Sequence, residues 1–254
     1  LNENENLKVL IPLILKQTYK DFEIIFVDSG STDGSLETIK NFLNNSENVQ
    51  LTHIKKEEFT FGKSLNIGFS KATGEIVISL SAHCFPTSEE WLKNITQPFS
   101  NSNIGIVFGK QSPHENTRFS EASVQQKWFS GESMVREEIF LNNGNAASRK
   151  SLWEEIKFDE KLTGLEDINF GLYAKSKGWE LYYSNESDVQ HLHKENYMTI
   201  RNRYRREAEA LKIIFDEHKI FTSQYNLKLY NSTLVACIQG FFRGIIFDIR
   251  KKRY

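Results

Sequence analysis

Apolar positions along the chain switch repeatedly between two spacings. Over residues 6–16, Leu7, Leu10, Ile11, Ile14 and Leu15 recur at three- and four-residue intervals, which predicts a helix kinked at Pro12. EIIFVDSGS follows, a continuous β-branched and aromatic run ending in Asp-Ser-Gly-Ser, as when a strand buried on both faces hands over to a loop. STDGSLETIKNFL restarts helical spacing, with Ser31 or Thr32 as the cap and Asp33 in the first turn. VQLTHIKK reads as a second strand, FGKSLNIGFSKAT as a glycine-punctuated loop and helix, and EIVISLS as a third strand. EEWLKNITQPF adds a helix and IGIVFGKQ a strand. Strands alternating with helices predict an α/β fold whose mostly parallel, doubly wound sheet binds ligands at the carboxyl ends of its strands. Asp28 and His83 both fall at such ends.

Beyond this core the pattern loosens. PHENTRFSEASVQQKWFSGES is polar, with scattered aromatics and no clear period, and predicts a long excursion or a flap. FLNNGNAASRKSLWEEI turns through Asn and Gly into a helix, and EDINFGLYAKSKGW is a helix closed by Gly178. ELYYSNESDVQHLHKE holds a strand and a two-histidine element, and RNRYRREAEALKIIFDEH is a long basic helix. The expected division is an α/β domain over residues 1–195 and a helical extension over 196–254.

Composition narrows the class. The chain has 254 residues, 39% of them hydrophobic, enough for one large domain with an appendage. With 32 basic and 33 acidic residues, no electrostatic footprint for nucleic acid dominates. The two cysteines, Cys84 and Cys237, make neither a disulfide framework nor a metal knuckle, which fits a reducing, cytoplasmic setting. The apolar run over residues 234–249 contains Arg243 and Asp248 and is shorter than the ~20 residues needed to span a bilayer. With the RKKR that follows, it predicts either a helix lying on the inner face of a membrane or one packed on the domain or on a homodimer partner.

Five motifs in fixed order carry candidate chemistry: DSGSTDGS, FGKSLNIGFSKATGEIVISLSAH, NNGNAASRKSLW, GLEDINFGLYAKSKGW and VQHLHKE. Over about residues 2–207 they resemble the family 2 inverting glycosyltransferases of the GT-A fold, a Rossmann-like sheet flanked by helices. The likeness is nearest to the rhamnosyltransferase-like branch that builds surface polysaccharides, which implies a deoxythymidine diphosphate donor and a glycan or lipid-linked acceptor. Family members begin with a further strand, so roughly ten or more residues are expected upstream of Leu1.

The resemblance implies roles residue by residue. Asp28 would accept hydrogen bonds from the base or ribose of a nucleotide, although an Asp in Asp-Ser-Gly also makes a turn by itself. Ser29 replaces a second acid of the family, and Lys63, Asn66 and Ser81 fall on the nucleotide and diphosphate side. His83 stands at the second acid of an Asp-x-Asp motif that holds a divalent cation. His191 and His193, adjacent but one on a strand, point to the same face and would complete a Mn²⁺ or Mg²⁺ site with it. A metal-free alternative has Lys63, Arg149 and helix amides support the diphosphate, with Asn145 nearby on the acceptor or diphosphate side. Asp167 matches the general base, with Glu166 orienting a sugar hydroxyl; both acids would equally complement a helix dipole. Two rivals stay open: a non-catalytic sugar-nucleotide or glycan-binding module of the same fold, and a nucleotidyltransferase.

Overall fold

The computed structural model describes residues 1–44, 48–115, 117, 119–192 and 196–218. In chain order the elements are α1 (Asn4–Leu15), β1 (Ile24–Asp28), α2 (Ser35–Leu43), β2 (Val49–His53), α3 (Phe61–Lys71), β3 (Ile76–Leu80), β4 (Cys84–Pro86) and α4 (Trp91–Thr96). Then come β5 (Ile104–Pro113), α5 (Phe119–Trp128), β6 (Met134–Arg136), β7 (Asn145–Arg149), α6 (Lys150–Ile156), α7 (Glu166–Ser176), β8 (Glu180–His191) and α8 (Tyr197–His218).

β1 and β2 pair in parallel as a two-stranded sheet, and the other strands form a six-stranded sheet in the order β3-β7-β5-β8-β4, with β6 also on β8. β5 and β8 are parallel. β7 runs antiparallel to both β3 and β5, so β3, β5 and β8 share one direction, as the strand–helix alternation predicts. The short strands β4 and β6 run against β8.

Successive residues of β5 point to opposite faces, and both faces are covered. Ile106 and Phe108 pack with Phe69 of α3, Leu152 and Trp153 of α6, and Phe170 of α7. Val107 packs on the other side with Trp91 and Ile95 of α4. The sheet is therefore sandwiched between helices, which is the expected α/β layering. α8 docks Ala210 and Ile214 against Leu162, and His218 Nε2 lies 2.7 Å from Asn169 Oδ1 on α7. Among the described residues no helix is long and apolar enough to cross a membrane. The apolar and basic tail, residues 234–254, lies outside the described residues.

Three local expectations are corrected. α2 is preceded not by a Ser31 or Thr32 cap but by Gly34 at φ 93°, and Asp33 accepts a hydrogen bond from the Ser35 amide at 3.0 Å. The Ser31 and Thr32 amides are already engaged by Asp28 and Asn2. The excursion contains α5; at its end Trp128 stacks on Phe140 at 4.7 Å, and Phe129 just beyond enters the core. That clustering leaves no amphipathic period to read. NAASR is a strand, β7, rather than part of a turn; its small side chains fit between β3 and β5, where sheet packing outweighs the weak strand preference of alanine.

Asn145 locks this centre. It accepts from Trp91 Nε1 at 3.0 Å and donates to the carbonyls of Lys110 at 3.0 Å and Ser187 at 2.7 Å. The approach is so close that a Cβ on Gly109 would sit 2.3 Å from Asn145 Nδ2, which explains a glycine inside β5. Asn145→Ala strands three buried polar groups, so the urea unfolding free energy should fall by about 2–4 kcal/mol. A loss below about 1 kcal/mol would show that the clamp is dispensable.

Candidate active site

A cavity of about 790 Å³ opens where the start of α1, the end of β3, the loop before β7, the start of α7 and α8 meet; Ser81, His83, Asn143, Glu166, Asp167 and Arg206 are among the residues lining it. Its floor is the turn of residues 142–144. The Asn143 amide donates to Asp167 Oδ2 at 3.2 Å and its side chain to Glu166 Oε1 at 3.3 Å. On the other side the Asn143 carbonyl accepts from Ser79 Oγ at 2.6 Å, and the Gly144 carbonyl from the Ser81 amide at 3.1 Å. Asn142 Oδ1 accepts from Gln111 Nε2 at 3.0 Å, and Gln111 Oε1 lies 2.6 Å from His191 Nδ1. One turn thus connects the serines, the two acids and a histidine.

Glu166 and Asp167 are only 6% and 9% exposed. They open α7 behind Leu165, a non-glycine residue at φ 57°. Burial lifts the Asp167 carboxyl well above the ordinary carboxylate value, and the neighbouring charges of Glu166 and Glu207 add to it. Amide hydrogen bonds from Ile168, at 2.8 Å, and Asn143 pull the other way. Burial also raises Glu166, against the Asn143 side chain and the Arg206 guanidinium. A carboxylate poised in this way can accept a proton from a substrate hydroxyl in the cavity.

The histidines do not gather as a cation site requires. His83 Nδ1 lies 3.0 Å from Glu3 Oε1, and its ring stacks on His191 with centroids 5.1 Å apart and planes 19° from parallel. Imidazole lone pairs lie in the ring plane, so near-parallel rings cannot converge on one ion at the ~2.1 Å that a metal–nitrogen bond needs. Among the described residues no group of three or more His, Cys, Asp and Glu could hold a metal, and His193 lies outside them. In this arrangement His83 is engaged by Glu3 and stacked on His191. Burial opposes ionisation of Glu3, but hydrogen bonds with His83 and Asn6 outweigh it and hold the carboxyl below its usual value. Cys84, beside His83, is buried and its thiol is pushed far up by burial, so it serves as packing.

Other expected site residues are held elsewhere and do not line the cavity. Asp28 accepts from the Gly30 amide at 2.9 Å and the Ser31 amide at 3.0 Å, which together outweigh burial and lower its carboxyl; Ser29 is buried beside it. Asn66 ties Trp153 Nε1 at 2.9 Å to the Phe158 amide at 3.0 Å. Asn145 is the sheet clamp described above. Arg149 donates to the carbonyls of Ile104, Phe99 and Asn101 at 2.7–3.0 Å. Lys63 is paired with Glu58 at 2.7 Å. Residues that sequence reasoning did not single out also line the cavity: Glu3, Asn142, Asn143, Arg203 and Arg206. NNG was legible as a turn and RNRYRRE as basic, but neither pattern says that it meets Glu166 and Asp167.

Residues 1–156 match Glycosyl transferase family 2. The chain belongs to this family. Its sequence is 27% identical over 209 residues to the O-antigen chain rhamnosyltransferase RfbN of Salmonella typhimurium, covering 78% of this chain and 64% of that protein. It is 25% identical over 203 residues to the O-antigen chain rhamnosyltransferase WbaN of Salmonella anatum, covering 75% and 62%. The chain thus spans under two thirds of these curated relatives. In fold it resembles the mannosyltransferase PcManGT of Pyrobaculum calidifontis, solved with GDP-Man and Mn²⁺, at a TM-score of 0.67 and 18% identity over 96% of this chain and 72% of that one. Residues 1–349 of Staphylococcus aureus TarS, solved with UDP, give a TM-score of 0.63 at 18% identity over 88% and 64%.

The buried Glu166–Asp167 pair carries a stability cost with a definite sign. A carboxyl raised in the folded state lowers stability as pH climbs from the ordinary carboxylate range, near ~4, toward the raised value. Glu166→Gln removes one of the two buried charges. It should stabilise the protein by about 1–3 kcal/mol at pH 8, with the gain vanishing below about pH 4, in unfolding measured across that range. A variant less stable than wild type at pH 8 would contradict the raised carboxyls.

Proposed function

We propose that the protein is an inverting glycosyltransferase that moves a sugar from a nucleoside diphosphate-sugar to a hydroxyl of a glycan or lipid-linked acceptor in surface polysaccharide synthesis. The observation that carries this reading is the buried Glu166–Asp167 pair opening onto the cavity in a member of glycosyl transferase family 2. The rhamnosyltransferase relatives favour a deoxyhexose carried by deoxythymidine diphosphate.

In the proposed reaction the acceptor hydroxyl attacks the anomeric carbon from the face opposite the diphosphate, Asp167 takes the hydroxyl proton, and the bond to the leaving oxygen breaks with inversion. Glu166 orients a sugar hydroxyl. The raised carboxyl of Asp167 suits a base that must hold a proton transferred from an alcohol, because its basicity is higher than that of an exposed carboxylate. Under this reading the protein works in the cytoplasm, at the inner face of the membrane that holds a lipid-linked acceptor, with residues 234–254 as the contact or a homodimer as the alternative. A divalent cation such as the Mn²⁺ of the mannosyltransferase neighbour would help to neutralise the departing diphosphate, and the metal arms of the assay test for it.

The test is transfer from deoxythymidine, uridine and guanosine diphosphate-sugars, each with EDTA, Mg²⁺ or Mn²⁺. Asp167→Asn should lower kcat by roughly 10²- to 10⁴-fold while donor binding survives. Donor binding with no transfer or donor hydrolysis under any condition would instead favour a binding module. The acid limb of kcat/KM should lie well above the ordinary carboxylate value near ~4, and Glu166→Gln should move it toward lower pH by removing a neighbouring negative charge. An unmoved limb would mean that another group is the base.

A further inference from the structure

We infer that Arg206, supported by Arg203, is the cationic side chain that binds the departing diphosphate in this protein. The inference rests on the transferase reading and adds the residues that meet the leaving group. The leaving oxygen takes the electron pair of the breaking bond, so negative charge grows on the diphosphate as the acceptor proton passes to Asp167. Some positive charge must face it inside the cavity. The two cations that the sequence suggests for this role are committed: Lys63 to Glu58, and Arg149 to three carbonyls away from the cavity. The histidine arrangement does not converge on an ion.

α8 supplies what is missing. Arg203 and Arg206 both line the cavity that holds Asp167, Ser81 and His83, and they are the Lys or Arg side chains among its described lining residues. Their spacing of three puts them on one face of the helix. The Arg206 guanidinium lies over the Phe61 ring, 5.9 Å from its centroid, and is near enough to Glu166 to oppose the rise of that carboxyl. Arg203 is paired with Glu207 on the next turn at 3.6 Å. A guanidinium offers a planar fork of donors that matches two phosphate oxygens at once, which a point-charge ammonium cannot do. Helix α8 is anchored through Ala210, Ile214 and His218, so the arginines are presented from a packed support.

Two sources could bring a diphosphate to this place, the donor or a lipid-linked acceptor, and we assign it to the donor because the family resemblance puts Ser81 and His83, which share the cavity, on the diphosphate side. The test uses the whole protein and measures dissociation constants by calorimetry with EDTA present. The ligands are the preferred nucleoside diphosphate, its uncharged nucleoside and a short-chain prenyl diphosphate-sugar. Arg206→Gln should weaken the nucleoside diphosphate roughly tenfold to a hundredfold and leave the nucleoside unchanged; Arg206→Lys should fall between. Arg203→Gln should show a smaller loss in the same direction. Arg206 is exposed, and an unchanged melting temperature confirms that the variants fold. Unchanged nucleoside diphosphate binding in Arg206→Gln, or a loss confined to the prenyl diphosphate-sugar, overturns the assignment while leaving the transferase reading intact. A wild-type protein that binds no nucleoside diphosphate with EDTA, Mg²⁺ or Mn²⁺ overturns both.

Discussion

The hydrogen-bonded turn of residues 142–144 is the constraint on which the rest of the site depends. It is held from below by Asn145, whose side chain joins β7 to β5, β8 and α4. From that base its backbone reaches Ser79 and Ser81 on one side and Asp167 on the other. The distance between the end of β3 and the start of α7 is therefore set by peptide groups rather than by long side chains. Peptide hydrogen bonds give a rigid spacing, and rigidity matters to the proposed reaction because misplacing a catalytic group by about 1 Å is enough to lose much of its effect. The hydrophobic sheet below, closed by helices on both faces, gives this turn a closely packed support.

The acid pair shows the tension that such a support can sustain. Two carboxyls in adjacent positions, almost fully buried, disfavour their own charged forms, and the folded state is less stable for it at neutral pH. The amides of Asn143 and Ile168 and the Arg206 guanidinium recover only part of that loss. Active sites commonly keep groups that stability alone would remove, because the chemistry needs a base stronger than a solvated carboxylate. Here the packed sheet supplies the stability and the turn supplies the geometry.

Much of the fold was legible because burial on both faces leaves a clear trace. IGIVFG, in β5, is covered on both faces and apolar throughout, whereas EIIFVD and EIVISL, only half-buried, read as strands from their β-branched and aromatic runs, and the helices between them kept a regular period. β7 was not legible, because Ala146, Ala147 and Ser148 are chosen for the narrow space between two neighbours rather than for strand propensity. α5 was missed for a related reason: among its described side chains no regular apolar period appears, and Trp128 at its end and Phe129 just after it meet the core. The site was legible in part. Glu166-Asp167 at a helix start stood out and lines the cavity, while Asp28, Asn66, Asn145 and Arg149, in the expected motifs, are hydrogen-bonded to neighbouring backbone and side-chain groups.

The sequence by itself determined the alternation of strands and helices, the family, and the position of the acid pair at the start of a helix, because these follow from local spacing and short motifs. Only the tertiary structure decided which polar side chains face the cavity. A hydrogen-bonding residue serves equally well as a clamp or as a ligand, and its role depends on whether buried peptide groups from distant segments have already taken its donors and acceptors. That competition engaged Arg149 and Asn145 in the interior, stacked His83 on His191, and brought Arg203 and Arg206 from the far end of the chain to the acids at the start of α7.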